Sequence, residues 1–140
     1  MPKHVLRDCR VEVNSVVLSD HANAVTIEAS RPEVEVTAMG SAFQEFTPGI
    51  PDGTITVTFL QDYDAAKVDA TIWPLISSAT PVNVNIRTTS GAISATNPEF
   101  QMSALVYSYS PISGDLGSPN TTEVTFRNAS STGIVRDTTP

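Results

Sequence analysis

Cysteine is nearly absent: Cys9 is the only one in 140 residues. A single thiol excludes an intrachain disulfide and any cysteine-rich metal cage, and is expected to be buried or idle. Histidine is as scarce. His4 and His21 lie far apart, each with only isolated acids nearby, so both read as surface residues rather than ligands. Asp62, Asp64 and Asp69 lack the glycine and terminal glutamate of a calcium loop, and helix capping and dipole pairing explain them more simply. No His-x-x-x-His pair and no nucleophile elbow appears. A Ser–His–Asp triad is assembled in space, so sequence alone does not address it. The expectation is a protein that is not an enzyme and carries no metal or cofactor.

Basic residues are also few, 8 against 15 acids, giving a formal charge of -7. Such a balance disfavours a grip on nucleic-acid phosphates. No stretch is long and apolar enough to span a bilayer, and the start of the chain lacks a signal-peptide core. A cytoplasmic origin without membrane anchoring follows as an expectation. The sequons at Asn120 and Asn128 are then chance matches in a threonine-rich chain.

Serine and threonine are what the chain has in abundance, 32 residues interleaved with Val, Ile and Phe. That pattern suits the wet faces of β-strands. Acids crowd the first half: residues 12 to 69 hold ten of them against Arg31 and Lys67. The first ten residues run the other way, with Lys3, Arg7 and Arg10 against Asp8.

Thr54 to Leu75 organises the rest. Ile55, Val57 and Phe59 alternate with Thr54, Thr56 and Thr58, the period of a half-buried strand. From Asp62 the period changes, and Ala65, Val68, Ile72 and then Leu75 or Ile76 form one helical stripe. The spacing predicts a helix over about 63–77, capped by Asp62 and stopped or kinked by Pro74 at Trp73. Val11 to Leu18 reads as a strand with a possible bulge at Val16–Val17. Ala24 to Ala29 is a short strand, and Glu33 to Ala38 alternates with Val34, Val36 and Ala38 inward. Val82 to Thr88, Phe100 to Tyr109 and Glu123 to Asn128 complete the strands, the second apolar on both faces. Residues 40–53 form a long Gly/Pro loop that nevertheless carries Phe43, Phe46 and Ile50. Either it folds back over its own core or it reaches a neighbouring subunit, because exposed rings need a cover.

Seven or eight strands and one flanking helix make a mainly β fold, a β-sandwich or open barrel. The domain runs over 11–128, with an N-terminal arm at 1–10 and a C-terminal arm at 129–140.

The run Gly53-Thr-Ile-Thr-Val-Thr-Phe-Leu-Gln-Asp-Tyr-Asp-Ala-Ala-Lys-Val-Asp-Ala-Thr-Ile-Trp-Pro-Leu75 is followed by Val-Asn-Val-Asn-Ile-Arg, Ala-Thr-Asn97-Pro98-Glu-Phe, Tyr-Ser-Tyr-Ser-Pro and Val-Thr-Phe. From about Val11 to Arg127 this order resembles the tail tube (major tail) proteins of long-tailed, non-contractile bacteriophages. The resemblance implies a tail-tube-like β-sandwich with one flanking helix. Six copies would close into a hexameric ring with a continuous inner β-barrel, and stacked rings would form the tube that conducts DNA during ejection. It implies a structural protein of the virion tail, assembled in the host cytoplasm. The partners would be further copies of itself and tape measure, tail terminator and tail-tip proteins, with DNA passing through without specific binding. Loop and arms would bridge subunits: Phe43, Phe46 and Ile50 between neighbours, and Lys3, Arg7 and Arg10 between rings. Glu33, Glu35, Thr37, Thr54, Thr56 and Thr58, on the strands flanking the loop, are expected to face the lumen. Other readings are a tail terminator, a head–tail connector, a capsid decoration protein, or a β-sandwich adhesin or carbohydrate-binding module.

Overall fold

A computed structural model describes residues 8–139. Lys3, Arg7 and most of the expected N-terminal arm lie outside the described residues. The chain runs β1 (Arg10–Val13), β2 (Val16–Val17), a 3-10 turn (Ser19–His21), β3 (Ala22–Ser30), β4 (Glu33–Glu35), β5 (Phe46–Pro48), β6 (Asp52–Leu60), α1 (Val68–Ile76), β7 (Val82–Arg87), β8 (Glu99–Ser108), β9 (Thr121–Asn128) and β10 (Val135–Asp137). Eight strands form one antiparallel sheet in the order β2-β1-β7-β8-β9-β6-β3, with β10 beside the start of β8. β4 and β5 pair separately as a two-stranded hairpin.

The alternation in β6 does what it predicts. Ile55, Val57 and Phe59 are fully buried, and Thr54, Thr56 and Thr58 lie on the other face. The same period puts Val84 and Ile86 of β7, Met102, Ala104 and Val106 of β8, and Val124 and Phe126 of β9 into one core with Val11 and Val13 of β1. β1 and β3, at the two ends of the strand path, line a common cleft around Cys9 and Val25, so the sheet curls back towards itself. On its outer side β3 has no strand partner among the described residues.

Four local readings are corrected. At Val16–Val17 there is a tight hairpin rather than a bulge. Asn14 and Ser15 both take positive φ, 50° and 68°, as a two-residue turn between twisted strands requires. The helix begins at Val68, not near 63. Ala66 stands at φ 60°, and the capping position, Lys67, makes no side-chain cap bond. Asp62 is otherwise engaged, its carboxylate accepting from the Asp64 amide at 2.9 Å and facing His21 at 2.8 Å. Pro74 neither stops the helix nor ends it at Trp73. It sits inside α1, where Ala70 and Pro74 both face solvent and water can satisfy the carbonyl that proline leaves unpaired. Finally, residues 129–139 fold back: β10 pairs with Glu99–Gln101, and Ile134 packs against the core.

α1 buries Val68, Thr71, Ile72 and Leu75 in the same core cluster, so it closes one opening of the curled sheet. Its other side is tied down by Tyr109, whose hydroxyl donates to Asp69 at 2.7 Å. Burial first, and that hydrogen bond second, push the Tyr109 phenol well above its ordinary range. β8 is buried on one face only, with Leu105 half-covered and Tyr107 exposed on the other; it is central because β7 lies on one side and β9 and β10 on the other.

Candidate functional site

The residues singled out from sequence fall on two separate surfaces. Thr54, Thr56 and Thr58 stand on the outward face of β6, between β3 and β9. Register places Glu28 and Arg127 on either side of Thr54, Thr26 and Thr125 beside Thr56, and Ala24 and Glu123 beside Thr58. This is a small-polar wall with sparse charge. Its one cation, Arg127, is bonded to Asp52 at 2.7 Å, which leaves Glu28 and Glu123 as the uncompensated charges.

Glu33, Glu35 and Thr37 do not join that wall. The expectation of one shared surface took β4 and β6 as neighbours, whereas β6 pairs with β3 and β9 and β4 pairs only with β5. Val34 and Val36 share a side of β4, as the alternation predicts, yet neither points inward. Both are exposed, because the hairpin lies off the core and water reaches both faces. The loop does not cover its own core either: Phe43, Phe46 and Ile50 are 84%, 53% and 86% exposed.

Arg10 belongs to a strand rather than an arm. It opens β1, meets Glu12 at 2.9 Å and lies 4.0 Å from Glu99. Glu99 is buried against Arg87, whose Nε donates to it at 2.6 Å, and Gln101 donates to its second oxygen at 2.8 Å. Asn97, part of the motif that carried the resemblance, is also buried. Its side chain accepts from Thr88 and Thr89 and donates to the carbonyls of Gly91 and Ala92, so it zips the 88–98 loop shut. That motif is explained by loop architecture.

One cluster escaped the sequence. His21 lies between two carboxylates, Nδ1 at 2.8 Å from Asp20 and Nε2 at 2.8 Å from Asp62. Both contacts are donated only by the imidazolium. Burial pulls the His21 pKa down, but the hydrogen bonds to Asp62 and Asp20 outweigh it and the net shift is upward. Asp62 is lowered by the Asp64 amide and then by His21, and Asp20 mainly by His21. The clamp fastens the 3-10 turn to the segment before α1. It contains no nucleophile in reach, and no three His, Cys, Asp or Glu side chains among the described residues converge as a metal site. Cys9 points its thiol at the Arg87 carbonyl, 3.0 Å away, and burial, followed by the Asp8 charge, raises its pKa. That thiol is unreactive by environment.

No protein-family model matches the chain, and no curated protein matches it in sequence. Solved structures do match in shape. The SPP1 tail tube superposes with a TM-score of 0.75 at 11% identity, over 98% of this chain and 80% of that one. The fold is tail-tube-like. This likeness extends to the sheath–tube complex of PVC, an extracellular contractile injection system, in its extended state, with TM-score 0.71, 14% identity, and coverage of 98% and 93%. The tail of an empty gene transfer agent particle, described with C6 symmetry, gives TM-score 0.66 and 14% identity over 84% of this chain and 82% of that one. The tail-tube-like fold therefore spans contractile and phage-like particles, and identities this low establish shape alone.

Proposed function

We propose that this chain is a structural subunit that closes with copies of itself, six to a ring, into stacked rings forming a phage tail tube that conducts DNA. The observation that carries the reading is β3. Its nine residues pair with β6 on one side only, and the other edge meets no strand among the described residues. A long unpaired edge is a template for another chain. On a tail-tube-like fold the natural occupant is the sheet of the next copy, and ring closure removes every such edge at once. The C6 symmetry of the similar gene transfer agent tail supports the number six.

In this arrangement the threonine wall of β6, with Thr54, Thr56 and Thr58, lines the bore. Small hydroxyl groups and the uncompensated Glu28 and Glu123 offer phosphate no cationic partner, so DNA passes without sticking. The role is that of a virion tail component assembled in the host cytoplasm, meeting tape measure, terminator and tail-tip proteins at its ends. The motif order of the sequence favours a non-contractile tail among the particle types that share the fold. Negative-stain microscopy of the purified protein tests the reading: rings or striated tubes are expected, and a strictly monomeric protein at high concentration overturns it.

A further inference from the structure

The β4–β5 hairpin and the 110–120 loop leave the sheet at opposite ends. The hairpin departs between Ser30 and Asp52, where β3 ends and β6 begins, and the loop lies beyond Leu60, where β6 ends beside Thr121. Nine strand residues separate them by about 27 Å, so the two cannot touch within one molecule.

Each is apolar and uncovered. The hairpin is a protrusion bearing Met39, Phe43, Phe46 and Ile50, and a two-stranded hairpin standing alone is marginal in water. The loop is a concavity. Ile112, Gly114, Asp115, Leu116, Ser118 and Asn120 line a cup of about 200 Å³, with Ile112 80% exposed and Leu116 fully so. The loop is also held in shape before anything binds. Tyr63 donates to the Pro111 carbonyl at 2.6 Å and accepts from Asn120 at 2.8 Å; Gln61 donates to Pro111 at 2.8 Å, and the Ser113 amide donates to Asn120 at 2.9 Å. A preorganised cup of this size suits one aromatic ring, and the hairpin tip presents two.

We infer that the Phe43/Phe46 hairpin of one copy seats in the Ile112/Leu116 cup of a second copy, end to end. This contact rests on the self-assembly reading above and names the surface that receives the hairpin. A protrusion at one end and its receptor at the other make a heterologous contact, which propagates along a line instead of closing on itself. Both ends are acidic, with Glu33, Glu35 and Glu45 near one and Asp62, Asp64 and Asp115 near the other. The junction is therefore held by apolar burial, not charge attraction.

Two variants test it, both at exposed positions that leave the core intact. Hairpin-defective protein (Phe43→Asp with Phe46→Asp) and cup-defective protein (Ile112→Asp with Leu116→Asp) should each need more than about tenfold higher concentration to form tubes. Mixed in equal amounts, the two retain one working hairpin and one working cup between them. Sedimentation velocity of the mixture should show a single junction, doubling the mass of the species each forms alone and going no further. Cup-defective protein that makes tubes like the unaltered chain overturns the inference, as does a mixture that sediments like its components. Unaltered protein that assembles while the mixture does not would remove this contact and leave the ring proposal standing; unaltered protein that stays monomeric would remove both.

Discussion

Thr122 faces the core across from Phe59, 1% exposed, and its hydroxyl has no hydrogen-bond partner. An unsatisfied buried polar group costs about 1–3 kcal/mol. Thr122→Val keeps the shape and removes the hydroxyl, so it should stabilise the fold by about 1 kcal/mol, roughly 3 °C in melting temperature. Calorimetry showing an unchanged or lower midpoint would mean that the hydroxyl is satisfied in solution. His21 makes a pH-dependent contribution of the opposite kind. Its folded pKa is raised above the model value of 6.5, so its stabilisation is complete below that value and is lost as pH rises through the higher folded one. Asp20 and Asp62 are lowered from 3.8, so their share is present above that value and fades as pH falls further. Denaturant midpoints should therefore decline from pH 6 towards pH 8, and His21→Asn should flatten that slope. An equally steep slope in the variant would place the titration elsewhere.

Among the elements, β10 and β6 are joined at a point where a side chain is excluded. A Cβ on Gly53 would stand 2.9 Å from Cγ1 of Ile134 and 3.0 Å from its Cδ1. Gly53→Ala should push Ile134 off the core and cost about 1–3 kcal/mol, the range for overpacking. In an Ile134→Ala background most of that penalty should vanish, because the two positions share one contact. Additive losses in chemical denaturation would show that the tail is not docked there. This docking also marks where the sequence stops being legible. β6, β7 and β9 announce themselves because each has water on one face and core on the other. β4 carries the same alternation with no core beside it; periodicity reports which residues share a side and says nothing of what covers them. The stripe through Ala65 overran the true helix start because Ala66 takes a left-handed backbone that no spacing reveals. The Ser/Thr-rich end looked like an arm, and one apolar residue, Ile134, is enough to anchor it. His21 and Asp62 meet across 41 positions, a closure that only the curled sheet brings about.

For the molecule as a whole, four features argue together: a curled sheet with a free strand edge, a threonine wall without an unpaired cation, an apolar protrusion at one end and an apolar cup at the other. A monomeric existence leaves all of them unexplained, since exposed rings and open edges invite association. Assembly around a channel gives each a place. The fold was legible in the sequence to the level of strand count and one flanking helix, and the wall to the level of Thr54, Thr56 and Thr58. The separation of Glu33 and Glu35 from that wall was not, because strand order depends on pairings between distant segments. A cryo-EM reconstruction of the assembled protein tests the central claim most directly. The account predicts a central bore whose wall carries Thr54, Thr56 and Thr58, with β3 paired to the adjacent subunit; a bore lined by another face, or an assembly with β3 left unpaired, would contradict it.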